Sequence, residues 1–416
     1  MGDAAPKRIV LSVSGSGVYM KFSPVEAGDI EDAFEVDTEV LRNASQLVRD
    51  AVEKLCRLYC QAGSRRPAES KVLLAVRKIA QHGRELWAAI FRSATLAEQL
   101  AKRIETENLH VTFAVSHSVR VHAPYGLMFG GLQGPYEIEE LEHSELMPNF
   151  WRQKHEVSVV YSINDQIPLE TDFLNESAPL HAEGTKVFGV FHPKAVKYAL
   201  DERQISWPES AIAYSARDFK ARWRTSTSDY NMLYFFCHAN GEVLHIGTNN
   251  DSLVDDLLHW QLKSLIPDRR NQPLGGLIIL NGCETAASSG RGKWLEATRT
   301  CGFAGFIGTE AMVPTRFAWP FGNDLIKMIL SEEKTALQAL KILWKQHWPL
   351  SLLYSLYCIA DVRVRPAMTT DYLQRVQHTN YSELTLSDVA FGEEQYSTLP
   401  FSRAGKAPVS EGEDEL

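Results

Sequence analysis

Short apolar runs spread through the second half of the chain constrain its fold more than any other feature. VSVVYS from Val157, KVFGVF from Lys186, MLYFFC from Met232, EVLHIG from Glu242, LIIL from Leu277 and FAGFIG from Phe303 read as strands. Several are apolar without alternation, the pattern of strands covered on both faces. Helical patterns fall between them at 194–202, 251–266, 291–300, 319–331 and 334–347. Strands and helices that alternate in this way predict an α/β fold, a three-layer α/β/α sandwich.

The first third has a different texture. RIVLSVSGSGVYMKFS from Arg8 reads as one or two strands around a Gly-rich turn, and its SGSG lacks the following Lys and helix of a phosphate loop. Leu41, Ala44, Val48, Leu55 and Tyr59 recur at helical spacing between Asp37 and Cys60. A second helical pattern runs from Ser70 to Ile104, with Gly83 weakening its middle, and LHVTFAVSHSVRVH from Leu109 alternates as strands do. The spacing predicts a helical and strand region over 1–145, a sandwich domain over 146–400 and an acidic solvated tail over 401–416.

With 416 residues the chain can bury a large core without disulfides or metals. Its net charge of −9 argues against a broad nucleic-acid or anionic-membrane footprint. No apolar run is long enough to cross a bilayer, and MGDAAPKRIV lacks a signal core, so a cytoplasmic protein is expected. None of the six cysteines falls in paired CxxC spacing, and no acidic metal cluster is recognisable; no metal or cofactor is expected. Cys56 and Cys60, four apart on a helix, read as small buried hydrophobes.

Two strand ends carry chemistry. MLYFFC runs straight into His238, and LIIL runs into Asn281, Gly282, Cys283 and Glu284. Ligands of open α/β sheets sit beyond the carboxyl ends of strands, the position of both His238 and Cys283. A free thiol is mostly protonated at neutral pH and needs a base, which an imidazole supplies. Ala239 and Gly282, with almost no side chains, leave backbone N–H groups open to an oxyanion. Asn281, Glu284, Thr309 and Glu310 are candidate pocket or support residues; Glu284 suits either a basic substrate side chain or a helix cap. Cys237, next to His238, faces the opposite side of its strand and is expected to be inert. Asp255 and Asp256 are expected on a solvated helix face, and His259 on a surface or packing position.

These blocks resemble the CHAT peptidases, caspase-like clan CD cysteine proteases related to separase. FFCHANGEVLHIG is similar to the family's His block and LIILNGCETA to its Cys block. GFAGFIGTEAMVPTRFAWPFGNDLIKMILSEEKTALQALKILWKQ and HAPYGLMF resemble flanking segments. The resemblance implies a caspase-like sandwich with residues 1–145 as a pseudo-protease-like or regulatory half, Cys283 as nucleophile and His238 as its partner. It also implies a regulated cut of a protein substrate, a gasdermin-like or other effector in prokaryotic antiviral defence or cell death, under an activating protein or small-molecule signal. Ala311, Pro314 and Arg316 stand where relatives commonly carry Trp and Asp after the Gly-Thr turn. The contrasting reading is a catalytically silent scaffold or binding module of the same fold.

Overall fold

The computed structural model of the chain describes residues 7–15, 17–24, 32–62, 65–107, 109–116, 118–119, 121–132, 137–162, 182–185, 187–193, 212–226, 232–247, 256–265, 277–286, 288–301, 303, 305–331, 334–358 and 364–366. All of them belong to the unit Met1–Asn380. The helix expected at 194–202 and the tail over 401–416 lie outside the described residues.

The N-terminal pattern folds as a sheet with helices. β1 (Lys7–Gly15) and β2 (Tyr19–Pro24) form the expected hairpin, and β3 (Phe34–Asp37) extends it. β4 (Leu109–Ser116) and β5 (Glu156–Ser162) join in parallel, giving the order β3-β2-β1-β4-β5. α1 (Thr38–Gln61) starts where the Asp37 carboxylate accepts the N–H groups of Glu39 and Val40, and it buries Leu41, Ala44, Val48 and Leu55 as its spacing predicts. The helical run expected over 70–104 is two helices, α2 (Glu69–Phe91) and α3 (Thr95–Thr106). Ser93 marks the break, its hydroxyl donating back to the Ile90 carbonyl at 2.8 Å. Gly83 is there for space: a Cβ would stand 2.4 Å from the Leu127 carbonyl oxygen.

After the short strand β6 (Ala182–Thr185), the second half forms the expected sandwich. Its sheet has the order β15-β14-β13-β9-β7-β8, built from β7 (Val187–Phe191), β8 (Ile212–Ala213), β9 (Met232–Phe236), β13 (Leu277–Asn281), β14 (Gly305–Thr309) and β15 (Tyr354–Cys358). The neighbours from β8 to β14 run parallel, and β15 is antiparallel to β14. β7, β9, β13 and β14 are buried at every residue because helices cover both faces. Adjacent residues of β9 show the two layers: Phe235 meets Phe219 of the helix Ala216–Ser226 at 5.5 Å, and Phe236 meets Trp319 of the helix Thr315–Ser331 at 5.1 Å.

Two elements differ from expectation. EVLHIG supplies β11 (Val243–His245), but in a separate antiparallel sheet with β10 (His238–Ala239) and β12 (Asp256–Leu258). The hairpin follows from its turn: Gly241 has φ 85°, and the Asn240 side chain accepts the Val243 N–H at 3.1 Å. Within 251–266 the described chain is strand first, and the helix starts only at His259. Asp256 therefore lies in β12, paired across the ladder with His245, and not on a solvated helix face.

The halves meet through buried charge. β5 and β15, at the ends of their sheets, lie against each other. Arg152, 2% exposed, donates to the carbonyls of Gly126 (3.2 Å), Leu352 (3.3 Å) and Tyr354 and to the Ser355 hydroxyl (3.0 Å). Burial pushes its pKa down to about 10, opposed by Glu310. Next to it His155, against the Trp151 ring at 5.0 Å, is pushed down to about 4, chiefly by burial and then by Lys154 and Lys341. The folded His155 binds its proton more weakly than the unfolded one, whose pKa is about 6.5. Its contribution is complete above the unfolded value and is lost as pH falls towards 4, about 3 kcal/mol in all. Unfolding free energies at pH 7 and pH 4.5 should therefore differ more in the wild type than in His155→Leu; equal slopes would refute this.

Candidate active site

The site is built by strand register. β9 and β13 are parallel neighbours with Phe236 opposite Asn281. One step further along each chain sets Cys237 beside Gly282. Contact confirms this step: a Cβ on Gly282 would stand 2.7 Å from the Cys237 carbonyl oxygen and 3.1 Å from the Ala239 Cβ. Glycine at 282 is what lets the strand ends come this close.

The turn after β13 is held by its own polar atoms. Thr285 donates to the Leu280 carbonyl at 2.9 Å and accepts the Thr309 N–H at 2.9 Å. The Thr309 hydroxyl donates to the Gly282 carbonyl, and the Glu284 N–H reaches the Ala311 carbonyl at 3.1 Å. Glu284 itself has φ 57°, in the left-handed region that non-glycine residues seldom occupy. Backbone held there at a strand end is found where geometry at a site is over-determined by its surroundings.

Cys283 is half-buried. Burial pushes its thiol up to about 11, with Glu284 and Cys60 adding to the shift. The N–H groups of Val313 and of Cys283 itself aim at the sulfur and oppose it. At neutral pH the group is a thiol, and its use as a nucleophile requires a base. Cys237 is buried and pushed still higher, which agrees with an inert residue.

His238 is exposed at the start of β10. Its ring meets that of His192 at 4.8 Å, edge to face, and across the β10–β11 ladder it stands opposite His245. His245 Nδ1 lies 2.6 Å from Asp256 Oδ1. His192, at the end of β7, is buried, and its backbone N–H donates to the Phe236 carbonyl at 2.8 Å. The sequence reading passes over His192, although KVFGVF ends in a His just as MLYFFC does.

The remaining candidates divide. Ala239 and Glu284 are half-buried at the rim; burial, and secondarily Glu53, raises the Glu284 pKa. Asn281, Thr309 and Glu310 are buried within the scaffold. Asn281 donates to the Tyr234 hydroxyl (2.9 Å) and the Ala318 carbonyl (2.7 Å) and accepts from the Tyr354 hydroxyl. Glu310 faces Arg49 Nε at 3.4 Å and accepts from the Tyr357 hydroxyl. Among the described residues no group of His, Cys, Asp and Glu could hold a metal ion, and no helix is long and apolar enough to cross a membrane.

No protein-family profile matches the chain, and no curated protein matches it. Among solved structures it is similar to a chain of the Saccharomyces cerevisiae separase–securin complex at 3.0 Å, with 10% identity and a TM-score of 0.49 over 86% of this chain and 30% of that one. A second crystal structure of that complex, at 2.6 Å, gives 9% identity and a TM-score of 0.48 with the same coverage. The chain thus spans 30% of the length of those it matches.

Proposed function

We propose that the chain is a caspase-like cysteine endopeptidase in which Cys283 attacks a peptide carbonyl and His238 carries the proton. One observation supports the reading: the β9–β13 register sets Phe236 opposite Asn281, and His238 and Cys283 each follow two residues after these paired strand ends. His238 accepts the Cys283 proton, the sulfur bonds to the carbonyl carbon, and the proton passes to the departing amine. Water then hydrolyses the thioester with His238 as base. The backbone N–H groups of Ala239 and Gly282 are assigned to the oxyanion, and Glu284 to the substrate rim. Asn281, Thr309 and Glu310 act as supports that hold the strand ends.

The finer assignment, a CHAT peptidase, rests on the sequence blocks around His238 and Cys283. With it go a peptidase domain over 146–400, regulation by residues 1–145, a protein substrate, a place in prokaryotic defence or cell death, and the cytoplasm. The contrasting scaffold reading draws on the raised Cys283 pKa, which marks a thiol at rest.

A peptidyl acyloxymethyl ketone decides between them. The peptidase reading expects selective labelling of Cys283 over Cys60, Cys237 and Cys301, slowed about 100-fold in His238→Asn. Labelling that ignores the His238 substitution, or that falls on another cysteine, supports the scaffold.

A further inference from the structure

The stretch of α1 that faces the site carries two thiols with no part in the proposed chemistry. Cys56 is buried, Cys60 is exposed one residue before the helix ends, and their sulfurs are 3.8 Å apart on successive turns. Tethers to the segment 310–316 flank them. On one side Arg49 faces Glu310 at 3.4 Å; on the other Arg316 Nη2 donates to the Tyr59 carbonyl at 2.9 Å. Between Glu310 and Arg316 lies Val313, whose N–H aims at the Cys283 sulfur.

We propose that Cys56 and Cys60 form a dithiol modification site, oxidised by peroxides to an intrahelical disulfide, whose state is transmitted to Cys283. The dithiol stands on its own geometry; its effect on Cys283 rests on the peptidase reading.

Charge favours Cys60 as the first sulfur to react. The Cys56 thiol donates to it and the Arg316 guanidinium attracts it, which together outweigh burial and bring its pKa down to about 7. Cys56 is pushed far up by the same pairing and by burial, and stays a thiol. The Cys60 thiolate attacks one peroxide oxygen; the O–O bond breaks, hydroxide leaves, and a sulfenic acid forms. Cys56 sulfur, giving up its proton, attacks that sulfur; the S–S bond forms, the S–O bond breaks, and water leaves. Two thiols lose two electrons, and the peroxide is reduced to two waters. Closing the bond draws the sulfurs from 3.8 Å to about 2.05 Å, a shift that the terminal turn of α1 takes up.

The direction of the effect follows from charge. A Cys60 thiolate holds the Cys283 thiol up, and oxidation removes that negative charge while leaving Arg316 in place. The oxidised protein therefore has the more reactive Cys283.

The test uses the full chain and hydrogen peroxide. Trypsin cuts after Lys54, Arg57 and Arg65, so an oxidised pair joins peptides 55–57 and 58–65, a species that dithiothreitol dissolves. The joined peptides should form in the wild type and equally in Cys283→Ala, and be lost in Cys56→Ser. Iodoacetamide alkylation of Cys283 at pH 7.5 should rise about two- to threefold on oxidation, and to a similar degree in reduced Cys60→Ser. Absence of the joined peptides, or oxidation of Cys283 before them, overturns the site. Joined peptides with unchanged Cys283 alkylation overturn the transmission. Failure of the peptidase reading appears separately, as Cys283 that alkylates but cleaves nothing.

Discussion

On the proposed peptidase function, Cys283→Ala is expected to lower peptide-bond cleavage by at least about 10,000-fold and to leave the thermal midpoint of the chain within a few degrees of the wild type. The first half of this result follows from the proposed covalent step, in which Cys283 is the nucleophile, while the neighbouring Cys237 is buried and its thiol is pushed far up. The second half follows from how the turn is held. Its fastenings are the Thr285, Thr309 and Glu284 hydrogen bonds, all of which survive loss of the sulfur. New protein termini in cells expressing wild type, compared by mass spectrometry with cells expressing the alanine variant, provide the measurement. Termini common to both would mean that another residue cuts or that the chain does not.

Glu310→Ala destabilises the protein by about 3–5 kcal/mol, the cost of leaving buried charge without its partner. The carboxylate is 2% exposed, faces Arg49 and receives the Tyr357 hydroxyl. Its field also sustains the charge of Arg152, which burial opposes. Removing it weakens the balance at two guanidinium groups and leaves a cavity beside Thr309. Glu310→Gln, which keeps the shape and a hydrogen bond to Tyr357, should lose less. Denaturant unfolding of the three proteins measures the series; an alanine variant as stable as the wild type would show that water takes over the role.

Much of the fold is legible in the sequence because burial is written into composition run by run. MLYFFC and LIIL have no polar face, and a strand with no polar face must be covered twice. The amphipathic spacing of α1 is equally local. Strand order is not local: β13 lies between β9 and β14, yet β7 rather than β11 is the other neighbour of β9, and only the Asn240–Gly241 turn hints that EVLHIG folds back. The site divides the same way. An apolar run that stops at a His or a Cys can be seen, which is how His238 and Cys283 come forward. That Asn281 and Glu310 serve as scaffold depends on Tyr354 and Arg49, 73 and 261 residues away in the chain.

The contact between β5 and β15 has a consequence for behaviour at high concentration. A sheet's outermost strand offers unpaired amides and carbonyls to any extended chain that drifts past, the usual start of aggregation. Here two such borders shield one another. Of the outer strands at the far ends, β8 is two residues long and β3 carries Glu35 and Asp37, so each is a poor template for a foreign strand.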